Sequence, residues 1–198
     1  MAKKIKLQDL QVVDLSDIQS HPRKYEIMLV LPTDITADAR QNIIGEFEES
    51  LKSYNAEIFH VDDWGKRDLA YPIKGRDEAY YVIYYVNLQD TSKIAELNEQ
   101  LRIEANLLRF LIVKREDDFE IENYADKDEY EKNSNEFRSE IKEENKIDYK
   151  NLKLLRRYTT RYAKIVPRQY SKITLRQQKA VAREIKKARH VALLPFVS

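Results

Sequence analysis

The apolar and polar positions of this chain follow two periods, and the switches between them outline its elements. Tyr25 to Leu31 (Tyr-Glu-Ile-Met-Leu-Val-Leu) is a nearly unbroken apolar run ended by Pro32, which predicts a buried strand. Ala39, Ile43, Phe47, Leu51 and Tyr54 then recur at helical spacing behind Asp34 or Thr36, either of which can cap the helix. Ala56 to Val61 is a second strand, which leads through Trp64-Gly65-Lys66-Arg67 into Leu69-Ala-Tyr-Pro-Ile73. Ala79 to Leu88 is rich in Tyr, Val and Ile, the residues that suit a pleated, half-buried surface, and predicts a third strand. Thr91 or Ser92 opens a second helix with Ile94, Leu97 and Leu101 on one face, and Leu107 to Val113 is the last strand. The order βαββαβ over residues 23–116 predicts an α+β, ferredoxin-like sandwich: an antiparallel sheet with two helices on one face.

The period becomes helical again towards the C-terminus. Tyr149, Leu152, Leu155, Tyr158 and Tyr162 mark one amphipathic helix, which Pro167-Arg168 breaks. Thr174 caps a second helix that reaches about His190 and is ended by Leu194-Pro195. On a wheel of roughly 100° per residue, Arg176, Lys179, Arg183, Lys186, Lys187 and His190 fall together, and Val181, Ile185, Ala188 and Ala192 fall opposite. The expected organisation is therefore a poorly ordered extension (1–22), the sandwich (23–116), an acidic linker (117–144) and a basic helical module (145–198).

Charge sharpens that division. Residues 145–198 hold 15 Lys and Arg against two acids, Asp148 and Glu184, while the whole chain is only +1. Residues 117–144 hold 12 acids against four bases, with no Gly or Pro, which reads as a disordered or partly helical linker. A cationic ridge interrupted only by Glu184 calls for an anionic partner. Phosphate is the natural one, since Lys and Arg that neutralise it release condensed counterions. A membrane surface fits less well, because the helix lacks a Trp/Phe/Leu-rich face.

Other chemistry is thinly supplied. The absence of Cys removes disulfides and thiolate sites, and three Gly leave little for phosphate-cradling loops. The first residues are basic but no apolar stretch follows them, so neither a secretory signal nor a transit peptide is expected. His60 near Asp62 and Asp63 lacks a second soft ligand, so no metal site is expected. Adjacent acids such as Asp62-Asp63 and Glu48-Glu49 point apart, which disfavours paired acid–base work. The Tyr80–Tyr85 strand could be a base-stacking platform, but core or protein interface is the better reading without the Gly-Phe pattern of sheet-face RNA binders. Trp64 reads as a packing anchor at a bend. No nucleophile–base constellation appears, and no enzyme, cofactor or small-molecule substrate is expected.

Two resemblances cover about three quarters of the chain. Arg23-Lys-Tyr-Glu-Ile-Met-Leu-Val-Leu31, Gly65-Lys-Arg-Asp-Leu-Ala-Tyr-Pro-Ile73, Tyr80-Tyr81, Leu101-Arg-Ile-Glu-Ala-Asn106 and Leu111-Ile-Val-Lys114 resemble bacterial small-subunit ribosomal protein six. Ile147-Asp-Tyr-Lys150, Lys164-Ile-Val-Pro-Arg168, Gln177-Gln178-Lys179-Ala180 running on to His190, and Ala192-Leu-Leu-Pro-Phe-Val197 resemble bacterial small-subunit ribosomal protein eighteen. Gln169 stands where that second family usually has Arg, and Ser171-Lys172 where it usually has Thr-Gly. A Lys in a glycine position makes a left-handed residue there costlier.

The resemblance implies structural RNA binding in the cytoplasmic ribosome, on the platform of the small subunit, beside neighbouring ribosomal proteins. It implies that Arg168, Lys172, Arg176, Lys179, Arg183, Lys186, Lys187 and Arg189 neutralise rRNA phosphates, with Arg23, Lys24, Lys66 and Arg67 as further basic positions. In those families the two proteins are separate chains that bind each other, so this chain is expected to be both partners. The strands carry more apolar side chains than one helix-covered face can use. Tyr149, Leu152, Leu155, Leu193, Leu194 and Phe196 are therefore expected to cover the open face in cis, at the mM effective concentration a tether supplies. Two other roles stay open: a regulator that binds an mRNA leader resembling the rRNA site, and an interaction scaffold whose basic module binds an acidic protein.

Overall fold

The computed structural model of the protein describes residues 22–115 and 147–197. The expectations for the first 21 residues and for the acidic segment 117–144 lie outside the described residues. The sandwich runs β1 (Arg23–Pro32), α1 (Ala37–Ser53), β2 (Ala56–Ile73), β3 (Arg76–Leu88), α2 (Lys93–Ile103) and β4 (Arg109–Lys114). Its antiparallel sheet has the order β2-β3-β1-β4, which is the expected βαββαβ arrangement. Behind it come α3 (Leu152–Arg157), α4 (Arg168–Ser171) and α5 (Leu175–His190).

Strand parity decides what each face buries. On β1, Tyr25, Ile27, Leu29 and Leu31 point one way and meet Val82, Tyr84, Val86 and Leu88 of β3, together with Phe47 and Leu51 of α1 and Leu97 and Leu101 of α2. Glu26, Met28 and Val30 point the other way, level with Tyr85, Ile83 and Tyr81. On that side Met28, Val30, Tyr81 and Ile83 share one apolar cluster with Tyr149, Leu155, Val181, Ile185 and Leu194. Both faces of the sheet are buried, and β1 accordingly reads as a continuous hydrophobic run rather than an alternating one.

Local chemistry explains the boundaries. Thr36 caps α1 by accepting from the Ala39 N–H at 3.2 Å; Asp34 instead pairs with Arg76. Lys74 and Gly75, both at positive φ, form the tight turn that joins β2 to β3. β2 is much longer than the expected Ala56–Val61 strand. Three register shifts let it continue past Gly65 (φ 68) and keep pairing with β3 as far as Ile73. Trp64 is buried at the second shift, with its indole N–H donated to Asp62 at 2.9 Å, an anchor as expected.

The helix expected to carry Tyr149 to Tyr162 is corrected. Asn151 caps it by accepting from the Leu154 N–H, α3 lasts six residues, and Tyr158 ends it. Thr159 pairs with Ile165 across a short bridge, and Ala163 is left-handed (φ 57), so backbone beyond Tyr158 follows a turn and not a helix. α5 agrees with expectation. Thr174 and Gln177 form a reciprocal capping box, and the far end closes with left-handed Ala192, as the Leu193 N–H bonds the Ala188 carbonyl at 2.9 Å. Lys172, where glycine was the family's choice, is left-handed (φ 55). Among the described residues no helix is long and apolar enough to cross a membrane.

Candidate nucleic-acid interface

α5 presents two faces. Val181, Ile185 and Ala188 are fully buried against the sheet side, while Arg176, Lys179, Arg183 and Lys186 are exposed along the opposite side. Successive steps of three and four residues keep these four cations in one stripe. Arg176 to Lys186 spans about 15 Å at the helical rise per residue. Lys172 and Arg168 continue the exposed charge beyond the helix N-terminus. Glu184 does not dilute the stripe: it is buried and pairs with Lys187 at 2.8 Å.

Four of the other expected phosphate ligands make bonds or ring contacts within the protein. Arg189 donates to the carbonyls of Pro195 (3.1 Å) and Ala163, tying the tail and the α3–α4 loop to α5. Its wheel position lies off the basic stripe, so only the resemblance had put it there. Lys187 is committed to Glu184, and Lys66 pairs with Glu78 at 2.6 Å. The Arg67 guanidinium stacks on the Trp64 ring, 4.6 Å from its centroid. Arg23 is exposed and Lys24 half-buried at the start of β1.

The residues expected to cover the sheet divide as well. Tyr149, Leu152, Leu155, Leu193 and Leu194 are buried in the shared cluster. Phe196 is 56% exposed and meets the sandwich with its ring 5.5 Å from that of Tyr71. Backbone groups join the same seam. The Tyr71 and Tyr81 hydroxyls donate to the carbonyls of Arg189 and Val191, each at 2.7 Å, and satisfy two of the carbonyls that a helix end leaves open. The Ala70 N–H bonds the Ala192 carbonyl at 2.8 Å, and His190 Nε2 lies 3.2 Å from the Phe110 carbonyl.

Beneath the seam lies a charged network that sequence reasoning missed. Glu26, with its side chain wholly buried on β1, accepts from Arg115 Nε (2.9 Å) and Nη2 (2.7 Å), from Lys150 Nζ (3.1 Å), and from the Tyr149 hydroxyl. Arg115 Nη2 also donates to Asp148 at 2.8 Å, and Lys150 donates to the Tyr85 hydroxyl at 2.6 Å. Two carboxylates and two cations balance, which is what makes burial of four charges tolerable. Burial opposes the Arg115 cation, yet Glu26 and Asp148 outweigh it and hold its pKa above the ordinary arginine value. Burial, followed by the same two carboxylates, pushes the Tyr149 hydroxyl well up, and burial does the same to Tyr85. The signal was present in the sequence. A single acid sits in an apolar strand at the parity that faces away from the helices, and Tyr149 is flanked by Asp148 and Lys150.

Tyr81, Tyr84 and Tyr85 are buried in core, so this strand offers no open stacking platform. The His60 ring packs 5.5 Å from Tyr85. No group of His and acids among the described residues could hold a metal.

Comparison with known proteins matches both halves. The family model for Ribosomal protein S6 matches residues 24–114, and the model for Ribosomal protein S18 matches residues 143–194. The small ribosomal subunit protein bS6 of Caldanaerobacter subterraneus subsp. tengcongensis is 40% identical over 96 residues, covering 48% of this chain and 99% of that protein. The bS6 of Halalkalibacterium halodurans is 41% identical over 95 residues, with the same coverage of 48% and 99%. The crystal structure of 30S ribosomal protein S6 from Thermotoga maritima is similar at 23% identity and a TM-score of 0.45, covering 48% of this chain and 88% of that one.

Proposed function

This chain belongs to the ribosomal protein S6 family and carries a ribosomal protein S18 segment behind it, and on that premise we propose that it serves as both platform partners in one molecule. Membership makes it a constituent of the small ribosomal subunit of the cytoplasmic ribosome, with rRNA and other ribosomal proteins as partners and a structural rather than enzymatic role. Beyond that, our reading is that it binds central-domain rRNA of the small subunit through the exposed stripe Arg168, Lys172, Arg176, Lys179, Arg183 and Lys186. The S18-type module stays packed on the S6-type sheet while it does so.

The observation that carries this reading is the division of labour on α5. One side is spent on the apolar cluster, and the other presents cations whose nearby acid, Glu184, is turned inward to Lys187. Such a stripe positions a protein on phosphates without reading sequence, so specificity comes from RNA shape and unpaired segments. Arg189, Lys187, Lys66 and Arg67 act in this reading by shaping the surface rather than by touching RNA. The test is sedimentation of a lysate from the protein's own cells with and without nuclease. Nuclease-sensitive recovery with the small subunit supports the reading; recovery on mRNA free of ribosomes supports the regulatory alternative, and nuclease-resistant recovery with an acidic protein supports the scaffold.

A further inference from the structure

The basic stripe does not stop at Lys186. His190 lies on the same meridian of α5, one helical turn further on, and its ring meets the Phe110 carbonyl of β4 at 3.2 Å. There the stripe runs into a groove of about 640 Å³ between the end of α2, the start of β4 and the tail after α5. Both halves of the chain build it: Lys74, Arg102 and Arg109 come from the sandwich, and His190 and Phe196 from the module. Its one acid, Glu104, is turned onto its own loop, accepting from the Asn106 N–H and Nδ2 at 3.1 Å each. Phe196 is held edge-on by Tyr71 and still leaves more than half of its surface to solvent.

We propose that this groove is a site for one or two unpaired nucleotides of the RNA that lies along α5, with Phe196 as the ring on which a base stacks and Lys74, Arg102 and Arg109 as the charges that meet its phosphates. The inference rests on the reading of the chain as an RNA-binding protein and adds to it a place where single-stranded RNA is held. Three features select a nucleotide over other occupants. Lys74 and Arg109 meet no acid lining the groove and Arg102 has only an exposed pair with Glu99 at 3.4 Å, an exposed aromatic ring stands among them, and the groove continues a stripe already suited to phosphate. Cations that track a backbone beside an aromatic ring that receives bases is the arrangement used to bind single strands. The site exists only while the two halves are packed together, so neither half alone holds a strand there.

The test uses the full chain and two probes: a blunt RNA duplex of about 16 base pairs, and the same duplex with a short oligoadenosine 3′ overhang. The overhang is expected to tighten binding about tenfold, the contribution of roughly one stacked base. Phe196→Ala, at an exposed position, abolishes that gain and leaves blunt-duplex affinity unchanged. Lys74→Asn, which keeps a residue tolerant of the left-handed turn, reduces the gain independently. Lys179→Ala/Arg183→Ala weakens both probes alike. Absence of an overhang gain, or a gain that survives in both Phe196→Ala and Lys74→Asn, overturns the groove site while blunt-duplex binding leaves the stripe standing. Failure of both probes to bind takes down the RNA reading and the groove with it. An oligoglutamate peptide that binds the wild type but not Phe196→Ala, with no overhang gain, assigns the groove to an acidic protein and overturns the nucleotide.

Discussion

The Lys150 ammonium lies 3.1 Å from the Glu26 carboxylate, and both side chains are fully buried although 124 residues separate them in the chain. Removing either partner leaves an uncompensated charge in the interior, a loss on the order of 3–5 kcal/mol. Lys150→Met and Glu26→Gln should each lower the free energy of unfolding, measured by urea titration, by that much. The double variant should be less destabilised than the sum, by a coupling of about 1–3 kcal/mol. Additive losses would mean that the two groups do not hold the halves together.

Alkaline pH should attack the same region. Tyr149 and Tyr85 are held protonated, because burial and then the nearby carboxylates raise their pKa values above the ordinary value. Groups raised in this way stabilise the fold fully below about pH 10, the unfolded value, and that contribution is lost as pH climbs beyond it. Tyrosinate absorbance from these residues should thus appear together with loss of near-ultraviolet dichroism. Ionisation that precedes unfolding would show that the network is open to water.

The cations of the module should separate by role. Lys179→Ala, Arg183→Ala and Lys186→Ala should each weaken RNA binding with little change in stability, and each should reduce the slope of log K against log salt by about one. Arg189→Ala should do the reverse. It removes donors to the Pro195 and Ala163 carbonyls, which costs about 1–3 kcal/mol of stability and leaves the salt slope nearly intact. Equal effects of Arg189 and Lys179 on the slope would return Arg189 to the RNA surface.

Lys172 combines the two readouts. Its left-handed backbone is a burden that glycine lacks, so Lys172→Gly should raise stability by about 1 kcal/mol. The same change deletes an exposed cation at the head of the stripe and should weaken RNA binding. A variant that gains stability and loses no affinity would remove Lys172 from the interface.

These expectations show what a sequence discloses and where it stops. The sandwich was legible because strands and helices of one period follow one another closely, and because both sheet faces are buried the β1 run is unmistakable. α5 was legible because its cap, its apolar side and its basic side all lie within one segment. β2 was underestimated: bulges at Asp63/Gly65 and beyond carry pairing through residues whose acidic and basic side chains look like loop. α3 was overestimated, since the spacing of Tyr158 and Tyr162 continues a helical period that the backbone abandons at Thr159. Glu26 could not be assigned a partner, because Arg115, Asp148 and Lys150 are brought to it only by the docking of a distant segment. Arg189 is placed on the RNA side by family resemblance alone, while its wheel position lies off the basic stripe and its guanidinium bonds the Pro195 and Ala163 carbonyls.

The measurement that bears most directly on the central claim is ultraviolet crosslinking of the full chain to RNA in its own cells, with the crosslinked peptides and RNA both identified. The account predicts crosslinks from residues 168–190 to central-domain rRNA of the small subunit. Crosslinks from those residues to an mRNA leader instead, or a small-subunit association that carries no RNA crosslink to α5, would contradict it.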